Sequence, residues 1–266
     1  SAIFFLFFYF LNMLVSIPIN YYSTFIIEEK FGFNKTTKKT FLADILKGTL
    51  MSILIGGLLL AVAILILNYF SEGFWFWLWL SLSIFTVFIS MFYTSLIVPI
   101  FNKLSPLEDG SLKTKIQQYS DKIGYSLKNI FVIDGSKRSS KANAYFSGFG
   151  PKKTIALFDT LIEKHTEEEL VAVLAHEVGH FKKNHIKQGV ILSVIQIAVM
   201  CFLFELCLQL PEISAALGAE INAFHLGLIG FSFIFSPIGL ITGIFMNILS
   251  RKNEFEADEY AKKTYN

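Results

Sequence analysis

His176-Glu177-Val178-Gly179-His180, with the apolar run 188–210 beginning eight residues later, is the stretch that decides how this chain is read. The five residues spell H-E-x-x-H. On an α-helix, histidines four apart project from one face, so both imidazoles reach a single metal ion. Glu177 lies one residue round from the first ligand, where it holds a metal-bound water without ligating. Zinc lowers the pKa of that water toward about 7, and the carboxylate takes its proton as it attacks a carbonyl. Such a pattern also arises by chance, but its surroundings favour a rigid helix. Thr166-Glu167-Glu168-Glu169 reads as a capping box just upstream, and Leu170, Val171, Val173, Leu174 and Val178 supply apolar faces. The expectation is one Zn2+ per chain and a metallohydrolase that acts on a peptide or protein substrate.

Composition places this helix beside a membrane. The chain is 53% hydrophobic with a mean hydropathy of +0.55, which excludes a soluble globule. Five stretches, approximately 1–22, 48–70, 74–100, 188–210 and 225–249, are long enough for a helix to cross a hydrocarbon core that needs about 20 residues. The first lacks a charged leader and a cleavage site, so it reads as a span and not as a signal peptide. All 23 Lys and Arg fall in 30–47, 103–187 and 251–263, whereas Ser71-Glu72-Gly73 and 211–224 contain none. With five spans this alternation puts the basic segments on one side, which the positive-inside rule makes cytoplasmic. The net charge of +2 calls for no nucleic-acid partner; membrane lipid is the partner the composition implies. Cys201 and Cys207 share the fourth span and imply no disulfide framework. Trp75, Trp77 and Trp79 read as an interfacial belt.

The expected fold is mainly α: a polytopic helical membrane protein with a small zincin-like α/β segment. Residues 1–100 would carry three membrane helices and a cytoplasmic loop at 23–47, and 101–187 the soluble segment with the H-E-x-x-H helix. Residues 188–250 would form a membrane hairpin and 251–266 the helix with the third metal ligand. Within 101–187 a helix is expected around 111–124. Strands are expected at 129–134, 142–147 and 154–158, the last two separated by Gly148-Phe149-Gly150-Pro151. Asn143, Ala144, Tyr145 and Phe146 are read as the open edge strand, along which an extended substrate adds by β-augmentation.

A catalytic zinc usually takes three protein ligands. His165 lies some three turns before the motif. His185, five residues beyond His180, is rotated off the ligand face, where a structural or supporting role is expected, and His225 falls at the far end of the last span. The segment after the fifth span remains. Glu254 and Asp258, four apart, share a helix face, so that one can ligate while the other holds a histidine. Spacing alone does not separate Glu254 from Glu256.

The chain resembles the integral-membrane zinc peptidases of the Ste24 type, the CaaX prenyl protease 1 group of peptidase family M48. The resemblance rests on Tyr21-Tyr22-Ser23-Thr24-Phe25 with Ile27-Glu28-Glu29-Lys30 and Gly32-Phe33-Asn34. It continues through Gly135-Ser136-Lys137-Arg138-Ser139-Ser140, Asn143-Ala144-Tyr145-Phe146 and Leu157-Phe158-Asp159-Thr160-Leu161. His176 to His180 and Ser250-Arg251 with Glu254-Phe255-x-Ala257-Asp258 complete it. It implies His176, His180 and Glu254 as zinc ligands, Glu177 as general base, Asp258 behind a ligand, and Asn143 beside the substrate and its reacting carbonyl. It also implies seven helices round a water-filled chamber, and substrates that are prenylated CaaX proteins trimmed of their last three residues. Five spans against seven imply that two lie outside this sequence. A histidine-proline segment of the family is likewise not in it. A bacterial inner membrane is the favoured location, or the endoplasmic reticulum for a eukaryotic source. The rival readings are an HtpX-like quality-control protease with the same chemistry, and a non-catalytic membrane protein with a structural zinc.

Overall fold

The structure, a computed structural model, describes residues 2–70, 72–124, 129–147, 154–221 and 223–265, without the side chains of Ala2, Phe146 and Ser147. The helices are α1 (Ala2–Tyr22), α2 (Lys38–Tyr69), α3 (Phe74–Leu96), α4 (Val98–Phe101) and α5 (Ser111–Lys122), then α6 (Asp159–Lys164), α7 (Glu167–Lys182), α8 (His185–Gln209), α9 (Pro211–Ala216) and α10 (Phe224–Tyr265). The strands are β1 (Leu104–Pro106), β2 (Ile130–Ile133), β3 (Ala144–Ser147) and β4 (Thr154–Phe158). A six-residue π-helix, Ser23–Glu28, continues α1.

The five expected spans are all present as α1, α2, α3, α8 and α10, each long and apolar enough to cross a bilayer. Two of them are longer than their apolar runs. At a rise of 1.5 Å per residue, the 32 residues of α2 and 42 of α10 reach about 48 and 63 Å, well beyond a core of about 30 Å. The lysine-bearing stretch 38–47 and the acidic stretch 251–265 are therefore not separate elements but ends of the spans beside them.

The chain forms two compact units, one of 1–23, 54–86 and 191–249 and one of 24–53, 87–190 and 250–266. In the first, Ala63, Phe74, Leu78, Cys201, Phe204, Cys207 and Phe231 form the core. The buried Glu205 carboxylate accepts from the backbone N–H of Trp75 (2.8 Å) and from Gln209 Nε2 (2.9 Å). It thus satisfies one of the donors that the first turn of α3 leaves free. Trp79 donates its indole N–H to the Val194 carbonyl (2.9 Å), a tie between helices.

The second unit is built on a four-stranded sheet in the order β1-β2-β4-β3, with β2 and β4 parallel and the other pairs antiparallel. Three of its strands were expected; β1 is three residues long and ends on Pro106, too short for an alternation signal and suited to an edge. The central β4 is buried on both faces. Ile155 and Leu157 meet Ile116, Tyr119, Leu170, Leu174 and Val178, while Ala156 meets Ile133 and Val98. Burying each large side chain of α7 in this cluster contributes about 1.5–3 kcal/mol, which fixes the helix against the sheet. β3 is the opposite edge, in register Ala144↔Leu157 and Tyr145↔Ala156. The 148–151 connection lies outside the described residues.

Two of the sequence signatures dock on each other. Lys35 N donates to the Arg138 carbonyl (3.0 Å) and Ser140 N to that of Phe33 (2.9 Å). Arg138 Nε and Nη2 each donate over 2.7 Å to the Asp44 carboxylate on α2, and Nη2 also to the Phe101 carbonyl (2.8 Å). Asp44 raises the Arg138 pKa further, so this fork is permanently charged.

Candidate metal centre

Helix α7 starts where its capping box predicts. Thr166 accepts from Glu169 N at 3.3 Å, and the Thr166 N–H donates back to the Glu169 carboxylate at 2.9 Å. With Leu170, Val171, Leu174, Ala175 and Val178 fully buried, His176, Glu177 and His180 are left half-buried beside a cavity. His176 Nε2 and His180 Nε2 stand 3.1 Å apart, and Glu254 Oε2 lies 3.3 Å from the first and 3.6 Å from the second. Donors bound tetrahedrally at about 2.0–2.1 Å stand roughly 3.3–3.4 Å from one another, so two imidazoles and a carboxylate in this triangle fit one Zn2+.

Glycine inside the motif makes the triangle close. A Cβ on Gly179 would come within 3.0 Å of the Cα and carbonyl oxygen of Ala257 and 3.3 Å of Tyr260 Cβ. Ala257 itself is completely buried. The end of α10 therefore lies directly on the α7 backbone. Glu254 and Asp258, on the same α10 face as Ala257, meet the histidines.

Each histidine has a further partner. His176 Nδ1 is 2.8 Å from Asp258 Oδ1. His180 Nδ1 is 3.1 Å from His185 Nδ1, whose Nε2 is 3.1 Å from Glu256 Oε2. The two glutamates that spacing left open thus occupy different places, Glu254 at both motif imidazoles and Glu256 on His185. His185 thus stands behind His180, on the ring nitrogen that does not face the triangle. Asn184 adopts the left-handed conformation (φ 61°), ends α7 and lets the chain restart as α8 with His185 turned back to His180. Burial pushes the His180 pKa below its ordinary value, against the opposing effect of Glu254, and a neutral imidazole is the form that ligates. His165 pairs instead with Glu169 (3.4 Å). His225 lies in the first unit against Phe4.

The cavity beside these groups has a volume of about 260 Å3 and is lined by Tyr145, Glu177, His180, His185, Asn253 and Glu254 among others. Of the four edge-strand residues, Tyr145 reaches it. Ala144 packs on the core. Asn143 lines a neighbouring cavity of about 350 Å3 with Lys141 and Arg138, and its Oδ1 accepts from Ala144 N (2.9 Å). The side chain of Phe146 is outside the described residues. Sequence reasoning missed Gly179, Ala257 and the pairing of His185 with Glu256. A glycine inside a capped helix, about 1 kcal/mol worse than alanine, was the available signal for the first.

A membrane protein whose H-E-x-x-H helix sits under a small mixed sheet, with an acidic residue brought to it from another helix, defines a recognisable class. The family model described as "CAAX prenyl protease N-terminal, five membrane helices" matches residues 1–103, and "Peptidase family M48" matches 106–266. The chain belongs to peptidase family M48. It is similar to CAAX prenyl protease 1 of Saccharomyces cerevisiae, with 36% identity over 95% of this chain and 59% of that protein. Against the Homo sapiens homologue identity is 33%, over 95% and 61%. The crystal structure of S. mikatae Ste24p superposes with a TM-score of 0.91 at 36% identity, covering 98% of this chain and 64% of that one. The chain thus spans about three fifths of the length of the relatives it matches.

Proposed function

We propose that this chain carries the catalytic centre of a membrane-embedded zinc endopeptidase that cleaves near the C-terminus of CaaX-type proteins, prenylated ones included. The observation that carries the reading is the triangle of His176 Nε2, His180 Nε2 and Glu254 Oε2 beside Glu177 and an edge strand. Zn2+ bound there would polarise a carbonyl and acidify a water. Glu177 serves as general base, its carboxylate taking the proton of the attacking water and returning it to the leaving amine. Asp258 accepts from His176 Nδ1–H and leaves Nε2 free to ligate. The substrate lies extended along Ala144–Phe146, where the strand edge supplies main-chain hydrogen bonds and Tyr145 a wall of the cavity; Asn143 holds the chain further along. The lysine distribution supports a centre that faces the cytoplasm. The match of residues 1–103 to the prenyl-protease membrane region favours CaaX substrates over unfolded membrane proteins.

The test combines elemental analysis of detergent-purified protein with a prenylated CaaX peptide assay run beside a casein assay. One zinc per chain, lost in Glu254→Ala, is expected, together with cleavage after the prenylated cysteine. Glu177→Gln is expected to keep zinc and lose turnover by at least about 10²-fold. Peptidase activity retained in Glu177→Gln refutes the base assignment, and casein cleaved in place of the CaaX peptide refutes the substrate class.

A further inference from the structure

We propose that His185 and Glu256 form a relay that orients His180 for the metal, so that each histidine of the motif is held by its own carboxylate from the end of α10. The proposal rests on the zinc reading above. His185 is only 8% exposed, and a buried imidazole needs partners for both ring nitrogens. It has them in His180 Nδ1 and Glu256 Oε2, each at 3.1 Å. Two nitrogens at that distance share one hydrogen, and the metal decides which of them carries it. With the Nε2 lone pair of His180 directed to the ion, its hydrogen resides on Nδ1. His185 Nδ1 is then the acceptor, its own hydrogen resides on Nε2, and that N–H donates to the Glu256 carboxylate. One metal bond thus sets the tautomer of both rings.

The construction parallels the other histidine, where Asp258 accepts directly from His176 Nδ1 at 2.8 Å. No residue of α10 reaches His180 Nδ1 in that way among the described contacts, and His185 fills the distance. Lys252 Nζ lies 3.7 Å from the Glu256 carboxylate. The turn at Asn184 is what brings His185 into line. A carboxylate behind a ligating imidazole raises its donor strength and fixes its ring, and losing such support typically weakens metal binding by 10–100-fold.

The experiment measures zinc affinity of the detergent-purified chain by competition with a chelator, and the visible absorption of the Co2+-substituted protein. His185→Leu, which keeps bulk but has no acceptor, is expected to bind zinc about 10–100-fold more weakly and to shift the cobalt bands. His185→Asn returns an acceptor near the place of Nδ1 and is expected to recover most of that loss. Glu256→Gln, at a partly exposed position, is expected to weaken zinc in the same direction. Wild-type affinity in His185→Leu overturns the proposal, and so does an Asn variant no better than Leu. His180→Ala is the control on the underlying reading. If it abolishes zinc binding while His185→Leu leaves it intact, the metal site stands and the relay alone falls. If His180→Ala retains zinc, both fall together.

Discussion

Gly179 and Ala257 show how far one methyl group governs this site. Both lie where α10 rests on the α7 backbone, and a Cβ at 179 would meet main-chain atoms that have no rotamer to escape into. Gly179→Ala raises helix propensity, so an exposed helix would be stabilised by it. Here overpacking is expected to win, lowering stability by about 1–3 kcal/mol and moving Glu254 off the histidines. Thermal melting together with zinc affinity checks this; an alanine variant that binds zinc normally would remove the close-approach account. At the same scale, His176, His180 and Glu177 were legible from spacing alone, because one helical turn sets their geometry. The choice between Glu254 and Glu256 was not, since it depends on which face of α10 meets α7.

At the scale of elements, α7 is specified locally at both ends. Its capping box is written in four consecutive residues, and Thr166→Ala is expected to lower stability by about 1 kcal/mol, read by thermal melting. Its end depends on Asn184 at φ 61°, a conformation that asparagine and glycine adopt and β-branched residues avoid. Asn184→Gly is therefore expected to fold and bind zinc normally. Asn184→Val should lower stability by roughly 1–2 kcal/mol and weaken zinc by misplacing His185. Equal melting temperatures and zinc affinities for the two variants would show that the turn carries no strain. Strand β1 lay below the reach of periodicity, and the length of α10 was hidden because an apolar run and an acidic one meet within it without a break.

For the whole molecule, the distribution of charge makes a prediction independent of any packing. All Lys and Arg fall in three segments separated by candidate membrane spans, so those segments are expected on one side. Single cysteines at Lys39, Lys137 and Lys262 are expected to be shielded from an impermeant thiol reagent applied to the non-cytoplasmic side of sealed membranes, and cysteines at Glu72 and Glu220 to react. Both native cysteines are buried and give a low background. Labelling of Lys137→Cys from outside would reverse the topology and with it the cytoplasmic placement of the centre.

The sequence by itself determined the five long apolar helices, the H-E-x-x-H helix and its cap, since each depends on hydropathy or on spacing within one helix. Tertiary structure decided what comes from elsewhere in the chain: Glu254 at the two imidazoles, Asp258 behind His176, Glu256 behind His185, and Gly179 beneath Ala257. Residues some 80 positions apart carry no mutual periodicity. They meet because α7 is packed under the sheet and α10 can lie against it only where a glycine leaves its backbone bare.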